Sequence, residues 1–269
     1  MTTPMTTTEK VMTSTLPETT PLSTLDPNIY YPVDCEEVFQ LNGTWNGTYV
    51  IRPSGADSPF SVVCEVHRDE VWTLIQRRMD GSVNFYRNWR DYKHGFGDLE
   101  SEFWMGNENM FYLTNQASYK LRIDMWDWDG KVGNHYFSES QYFFLDNETS
   151  FYQLHVPNDY HLYTGFGGSG LRLHAGPFMT YDVQVPSMRE NCAEKFHSGW
   201  WFSTCVRNAN FNGKYYDKGY ADPENRTRKN DDIYWPNIKQ SLRKVVMKLK
   251  RMSDESPRDL HTEEKNQQT

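Results

Sequence analysis

The sequence predicts an α+β domain, and three observations carry that expectation. Short alternating or apolar runs recur between Gly, Asn and Asp residues, as short strands require. Helical signals are few and brief. Four cysteines and four Asn-x-Ser/Thr sequons in one polypeptide predict disulfide closure in an oxidising compartment.

The elements follow in sequence order. Residues 1–32 are rich in Thr, with Pro4, Pro17 and Pro21, and are expected to form a disordered, mucin-like stalk. Asp34 is placed to cap a short helix over 34–39. Residues 47–51, 60–64 and 71–75 read as strands. A second short helix is expected at 88–94. Residues 118–125 alternate with period two, the mark of a half-buried strand. Asp127-Trp128-Asp129-Gly130 then reads as a tight turn, with Gly130 supplying positive φ. From about 157 to 240, Gly, Asn, Asp and Pro are frequent, so this stretch should be loop-rich and carry binding surface. A late strand is expected over 241–250, and residues 252–269 read as a disordered polar tail.

Composition narrows the function. The protein has 269 residues and a net charge of −8, which argues against nucleic acid and against charge-driven binding to an anionic membrane. Aromatic residues reach 15%, too many for a disordered polypeptide, and most should be core. There is no apolar run of membrane-spanning length and no apolar leader after Met1. A secreted fragment or mature form is expected, with oligomerisation through a missing upstream segment. The cysteines are Cys35, Cys64, Cys192 and Cys205; the absence of CxxC argues against zinc and redox motifs and favours two locally closed loops. The sequons Asn42, Asn46, Asn147 and Asn225 are candidate glycosylation sites.

A family resemblance rests on an ordered series of landmarks. They begin with Trp72-Thr73-Leu74-Ile75 and Asp80-Gly81-Ser82-Val83. Gly95-Phe96-Gly97 and Glu102-Phe103-Trp104-Met105-Gly106-Asn107 follow. Later come Asn191-Cys192-Ala193, Ser198-Gly199-Trp200-Trp201-Phe202, Asn212-Gly213-Lys214-Tyr215-Tyr216 and Ile233-Tyr234-Trp235. Together they make residues 33–251 resemble the fibrinogen C-terminal (fibrinogen-related) domain. Leu113-Thr114-Asn115-Gln116 and Asp127-Trp128 lean toward the angiopoietin-like branch.

The resemblance implies a small N-terminal subdomain, a central antiparallel sheet with short helices, and a loop-rich C-terminal binding subdomain. It implies the pairs Cys35–Cys64 and Cys192–Cys205, and a cis peptide between Asn191 and Cys192. It also locates a calcium loop, here degraded: Asp182 remains, but Gln184 and Pro186 occupy the two carboxylate positions. Calcium is therefore not expected, and no other cofactor is implied. Acetyl-reading members place a His after the second cysteine of the pair; here that residue is Val206. The other pocket positions correspond to Asn191, Lys195, Phe196, Lys229 and Asn230. Lys195 would repel a cationic knob of the fibrin type.

No catalytic constellation is complete. His197 with Ser198 and the Asp231-Asp232 pair are the nearest approaches, and neither has a supporting partner in sequence. The expected function is a non-enzymatic extracellular binding module, angiopoietin-like, for a cell-surface receptor. Phe196, Trp200 and Phe202 are the candidate contact aromatics, with Trp200 more suited to the core. The alternative is a ficolin-like lectin for acetylated or acidic glycans in innate defence.

Overall fold

The computed structural model describes residues 29–43, 46–67, 69–129, 133–157, 176–206, 209–217, 230–236, 238 and 240–254. The stalk up to residue 28, the tail from residue 255, Gly130, Asn225 and Lys229 lie outside the described residues. The protein divides into two units, Met1–Tyr30 and Tyr31–Thr269. Of the first, Ile29 and Tyr30 are described, and both are exposed. Every element below belongs to the second.

Helix α1 (Cys35–Asn42) opens this unit. The Asp34 side chain caps it by accepting from the Glu37 N–H at 3.0 Å, and Glu37 Oε2 reaches back to the Val33 N–H at 2.6 Å. Strands β1 (Gly47–Ile51), β2 (Phe60–His67) and β3 (Glu70–Arg78) then run as a meander. Helix α2 (Trp89–His94) is capped by Asn88, whose side-chain oxygen accepts from the Asp91 N–H. Short strands β4 (Phe96–Gly97) and β5 (Phe103–Trp104) pair with each other. Helix α3 (Asn107–Asn115) leads into β6 (Ser118–Trp126) and β7 (His135–Ser140). Minor strands β8 (Phe144–Leu145), β9 (Leu154–His155), β10 (Phe178–Met179) and β11 (Trp200–Trp201) follow, with helix α4 (Cys192–Lys195) before β11. The last strand, β12 (Lys244–Ser253), returns to the middle of the main sheet.

The main sheet is antiparallel in the order β1-β2-β3-β12-β6-β7, and β5 adds to β3. The last strand is thus clasped between β3 and β6, a placement that local pattern cannot give. Disulfide Cys35–Cys64 ties α1 to β2, and Cys192–Cys205 closes a loop in the C-terminal part.

The core beside the sheet is aromatic. Phe178 sits at its centre, with ring centroids 5.1 Å from Tyr92, 5.3 Å from Trp201 and 5.9 Å from Trp104. Gly199 is required here: a Cβ would lie 2.3 Å from the Tyr92 ring. Burial also raises the Tyr92 hydroxyl pKa well above its ordinary value. That hydroxyl donates to the Phe85 carbonyl at 2.6 Å and accepts from the Gly199 N–H at 3.2 Å. One buried tyrosine therefore joins the loop after β3 to the loop before β11, and these two loops form the site.

Candidate functional site

The Cys192–Cys205 loop is built on Asn191. Its Oδ1 accepts from the Ala193 and Glu194 N–H groups, capping α4, while its Nδ2 donates to the Thr180 and Tyr181 carbonyls. All four interactions form around a trans 191–192 bond. The expected cis bond is a correction: no cis peptide occurs among the described residues. The Asn191 side chain, rather than an isomerised backbone, orients this corner.

Two further expectations are corrected. Phe196 is buried, stacked on Phe202 with centroids 5.6 Å apart, and Phe202 is also buried. Trp200 is buried too, in the core where it was expected. These aromatics therefore pack the interior and cannot meet a ligand at the surface. Val206 stands 57% exposed, so it and Phe196 do not line one mouth. Each ring is better placed against another ring than in water, which sequence alone could not decide.

Lys195 donates to the Cys205 carbonyl at 3.0 Å and lies 3.5 Å from Glu190 Oε1, half exposed. Asn230 is exposed. Asp182 accepts from the Thr180 hydroxyl at 2.7 Å and from the Trp89 N–H at 3.0 Å, fastening this loop to the start of α2. Gln184 donates to the Met188 carbonyl. Of the sequons, Asn46 and Asn147 are exposed. The Asn46 side-chain oxygen accepts from the Val66 N–H, and that of Asn147 from the Thr149 hydroxyl. The side chain of Asn42 lies outside the described residues.

The site sequence reasoning missed is a cleft of about 510 Å³ between the loop after β3 and the segments at 197, 212–215 and 231. Its floor is Arg78, fully buried, whose Nη1 donates to the Phe211 and Gly213 carbonyls at 2.9 and 2.7 Å. The guanidinium lies 3.8 Å from the Phe85 ring centroid and its Nε is 3.5 Å from the buried Glu102 carboxylate. Burial lowers the Arg78 pKa, and the Glu102 charge opposes that shift. Glu102 also accepts from the N–H groups of Met79, Asp80, Gly81 and Val83, which sets the shape of the loop. Gly81, at φ +75°, lets the Tyr215 ring approach; a Cβ there would come within 2.8 Å of it. The Tyr215 hydroxyl donates to the Met79 carbonyl, and burial plus the Glu102 charge push its pKa up to about 12.

His197 overhangs this cleft in the left-handed region, φ +48°. Its ring lies 5.2 Å from Tyr86, and Tyr86 lies 4.8 Å from Tyr181, so three rings form an exposed row. Tyr86 and Tyr181 are each about a third or more exposed. The His197 and Ser198 pairing does not form: the Ser198 hydroxyl is buried without a hydrogen-bond partner, whereas His197 faces Asp231 at 4.0 Å. Asp231 accepts from the Tyr216 hydroxyl at 2.9 Å. The arrangement offers shape and contact, and among the described residues His197 and Ser198 do not pair as base and nucleophile. In the sequence the cleft is spread over the separate landmarks Gly81-Ser82-Val83 and Asn212-Gly213-Lys214-Tyr215 and the isolated His197 and Asp231, with no spacing that joins them.

Comparison with known proteins places the chain in a family. The model of the C-terminal globular domain of fibrinogen beta and gamma chains matches residues 31–252. Mouse angiopoietin-related protein 2 is 35% identical over 250 residues, covering 90% of this chain and 48% of that protein. Human fibrinogen-like protein 1 is 36% identical over 236 residues, 81% of this chain and 71% of that protein. The solved fibrinogen-like globe domain of human ANGPTL2 superposes with a TM-score of 0.73 at 34% identity, covering 82% of this chain and 99% of that domain. The chain spans about half the length of the angiopoietin-related relatives it matches first.

Proposed function

The protein belongs to the family of the C-terminal globular domains of fibrinogen beta and gamma chains, and from that premise we propose that it is an extracellular ligand module that binds a cell-surface receptor protein through its loop-rich C-terminal face. The observation that carries this reading is the exposed row Tyr181, Tyr86 and His197, with exposed Val206 on the disulfide-closed loop. Aromatic rings held on a rigid base are the usual anchors of protein interfaces. The base here is rigid because Asn191, Asp182 and the Tyr92 hydroxyl fix the loops to buried elements.

An acetyl-reading lectin is less supported. Val206 stands where that chemistry needs a His, and Phe196 faces Phe202 inside the domain. Catalysis has no support in the geometry of His197, Ser198 or Asp231.

The test is binding of the purified protein to a panel of receptor-expressing cells, with Tyr181→Ala and Val206→Asp. Both positions are exposed, so folding should be unchanged. An anchor contact contributes about 2 kcal/mol or more, so affinity should fall roughly 30-fold or further. Equal binding by wild type and both variants, or no binding to any cell, would sink the proposal.

A further inference from the structure

The outer face of the main sheet, turned away from the aromatic core, carries a second and smaller pocket. Strands β6 and β12 send alternate residues to opposite faces. Met125, Val245 and Met247 therefore enter the core, while Asp124, Trp126, Lys244, Val246 and Lys248 line the pocket on the other side. Its volume is about 260 Å³, and Glu65 of β2 closes one end.

The charges on this face are matched, with one exception. Lys248, 4% exposed, lies 2.6 Å from Glu65 Oε1 and 3.1 Å from Asp124 Oδ2. Asp124 also accepts from Arg122 Nε and Nη2 and faces His135 Nε2 at 2.8 Å. Farther along the face, Lys120 and Lys250 meet Glu70 at 3.5 and 2.6 Å. Lys244 is the exception. Among the described residues it enters no ion pair, and its ammonium lies 4.7 Å from the Trp126 ring centroid. Neighbouring Arg77 is bound by the Leu99 and Ser101 carbonyls rather than by a carboxylate. Burial lowers the Lys244 pKa and the Arg77 charge adds to that, while the Glu65 and Asp124 charges oppose it. A partly buried ammonium beside a second cation favours an occupant that brings a negative charge.

Size, charge and backbone narrow that occupant. The volume falls below the roughly 300–1,000 Å³ of sites that enclose a small ligand, and suits one inserted side chain. One uncommitted cation between two carboxylates balances a single negative charge. A phosphate monoester carries about −1.5 to −2 and would be repelled by Glu65 and Asp124. A sulfated polymer needs a row of free cations, whereas the other lysines here are paired. The main chain of β12 is laddered to β3 and β6, and that of β6 to β7, so a partner meets side chains and cannot add a strand here.

We infer that this pocket is a docking site for an acidic segment of a partner protein, which inserts one Asp or Glu side chain to pair with Lys244. Val246 and the edge of Trp126 give the methylenes of that side chain an apolar wall. The site is a second contact surface, separate from the row of Tyr181, Tyr86 and His197, and it does not depend on the receptor reading.

The test screens the full-length protein on an array of capped peptides with one central Glu or Asp and varied uncharged flanks. Versions with Gln, phosphoserine or sulfotyrosine at the centre stand beside them. Peptides that bind are titrated by NMR, with the Trp126 indole N–H signal, assigned through Trp126→Phe, as reporter. Lys244→Gln breaks no ion pair and relieves the crowding with Arg77, so its melting temperature should be unchanged or higher. The expected result is that at least one acidic peptide binds and shifts the Trp126 signal. Its affinity should fall about tenfold or more when its central Glu becomes Gln, and equally in Lys244→Gln, and should weaken as salt is added. Lys244→Arg keeps the charge and should keep the binding. If Lys244→Gln does not fold, the peptide exchange of Glu for Gln decides alone. No binding by any acidic peptide overturns the inference, as does affinity indifferent to the central charge or to Lys244. Preference for phosphoserine, sulfotyrosine or heparin overturns the choice of a carboxylate. Self-association in sedimentation that Lys244→Gln abolishes would make the occupant a second copy and overturn it too. If the peptides fail while Val206→Asp still abolishes binding to receptor-expressing cells, this site falls and the receptor reading stands; the opposite pair of results does the reverse.

Discussion

Replacing Glu102 by Gln tests the physical account of the cleft most directly. Glu102 is fully buried and its two oxygens do different jobs. Oε1 accepts from Met79, Asp80 and Gly81 N–H groups at 2.7, 3.2 and 3.1 Å and faces Arg78, whereas Oε2 accepts from Val83 at 3.1 Å. Glutamine retains one acceptor oxygen. Its NH₂ must then point either at the Val83 N–H or at the three N–H groups of the turn, donor against donor. The change also leaves the buried Arg78 charge without its counterion. Removing one partner of a buried pair costs about 3–5 kcal/mol. For a domain of this size each kcal/mol lowers the melting temperature by about 2–4 °C. The expected loss is therefore about 6–20 °C, measured by calorimetry at neutral pH. A double-mutant cycle with Arg78→Met isolates the pair, because in Arg78→Met the Gln substitution no longer strands a charge and should cost distinctly less. A loss under about 1 kcal/mol for Glu102→Gln, or the same loss in both backgrounds, would refute the claim that this carboxylate holds the loop and balances Arg78.

Three further outcomes are expected. Replacing Cys192 and Cys205 by Ser should lower stability by about 3 kcal/mol, the conformational-entropy value for so short a loop, in denaturant titrations; a change near zero would show the loop to be held by Asn191 and Asp182 alone. Acid should destabilise the domain through Asp124: burial raises its pKa, but the Arg122 hydrogen bond and the Lys248 charge win and hold it below the ordinary 3.8. Its contribution is present above the unfolded value and is lost as pH falls through the lower folded value, so stability should drop below about pH 4; an Asp124→Asn protein with the wild-type pH profile would count against this. Millimolar calcium should move the melting temperature by no more than about 1–2 °C, since Gln184 and Pro186 supply no charge and Asp182 is bound to Trp89 and Thr180; a larger rise, reversed by chelator, would overturn that expectation.

The sequence by itself determined the local elements whose signals are short-ranged. Asp34 and Asn88 cap the helices placed there, because an N-cap is a contact between residues three apart. The expected strands over 47–51, 60–64, 71–75 and 118–125 formed, each set by alternation or an apolar run. The implied cysteine pairs formed too. Helix α3 escaped notice because Gly106 gives it no side-chain cap and its residues show no clear apolar stripe. Tertiary structure alone decided the rest. An aromatic residue reads the same whether it packs inward or faces solvent, and only the folded loop stacks Phe196 on Phe202 inside while leaving Tyr86 and Tyr181 out. The cleft likewise has no contiguous signature in the sequence. Arg78, Tyr86, His197, Tyr215 and Asp231 meet because β12 closes the sheet, Tyr92 pins Gly199, and Glu102 folds the loop after β3 beneath them. Each of those constraints acts between side chains and backbone tens of residues apart, where no periodicity or spacing can record it.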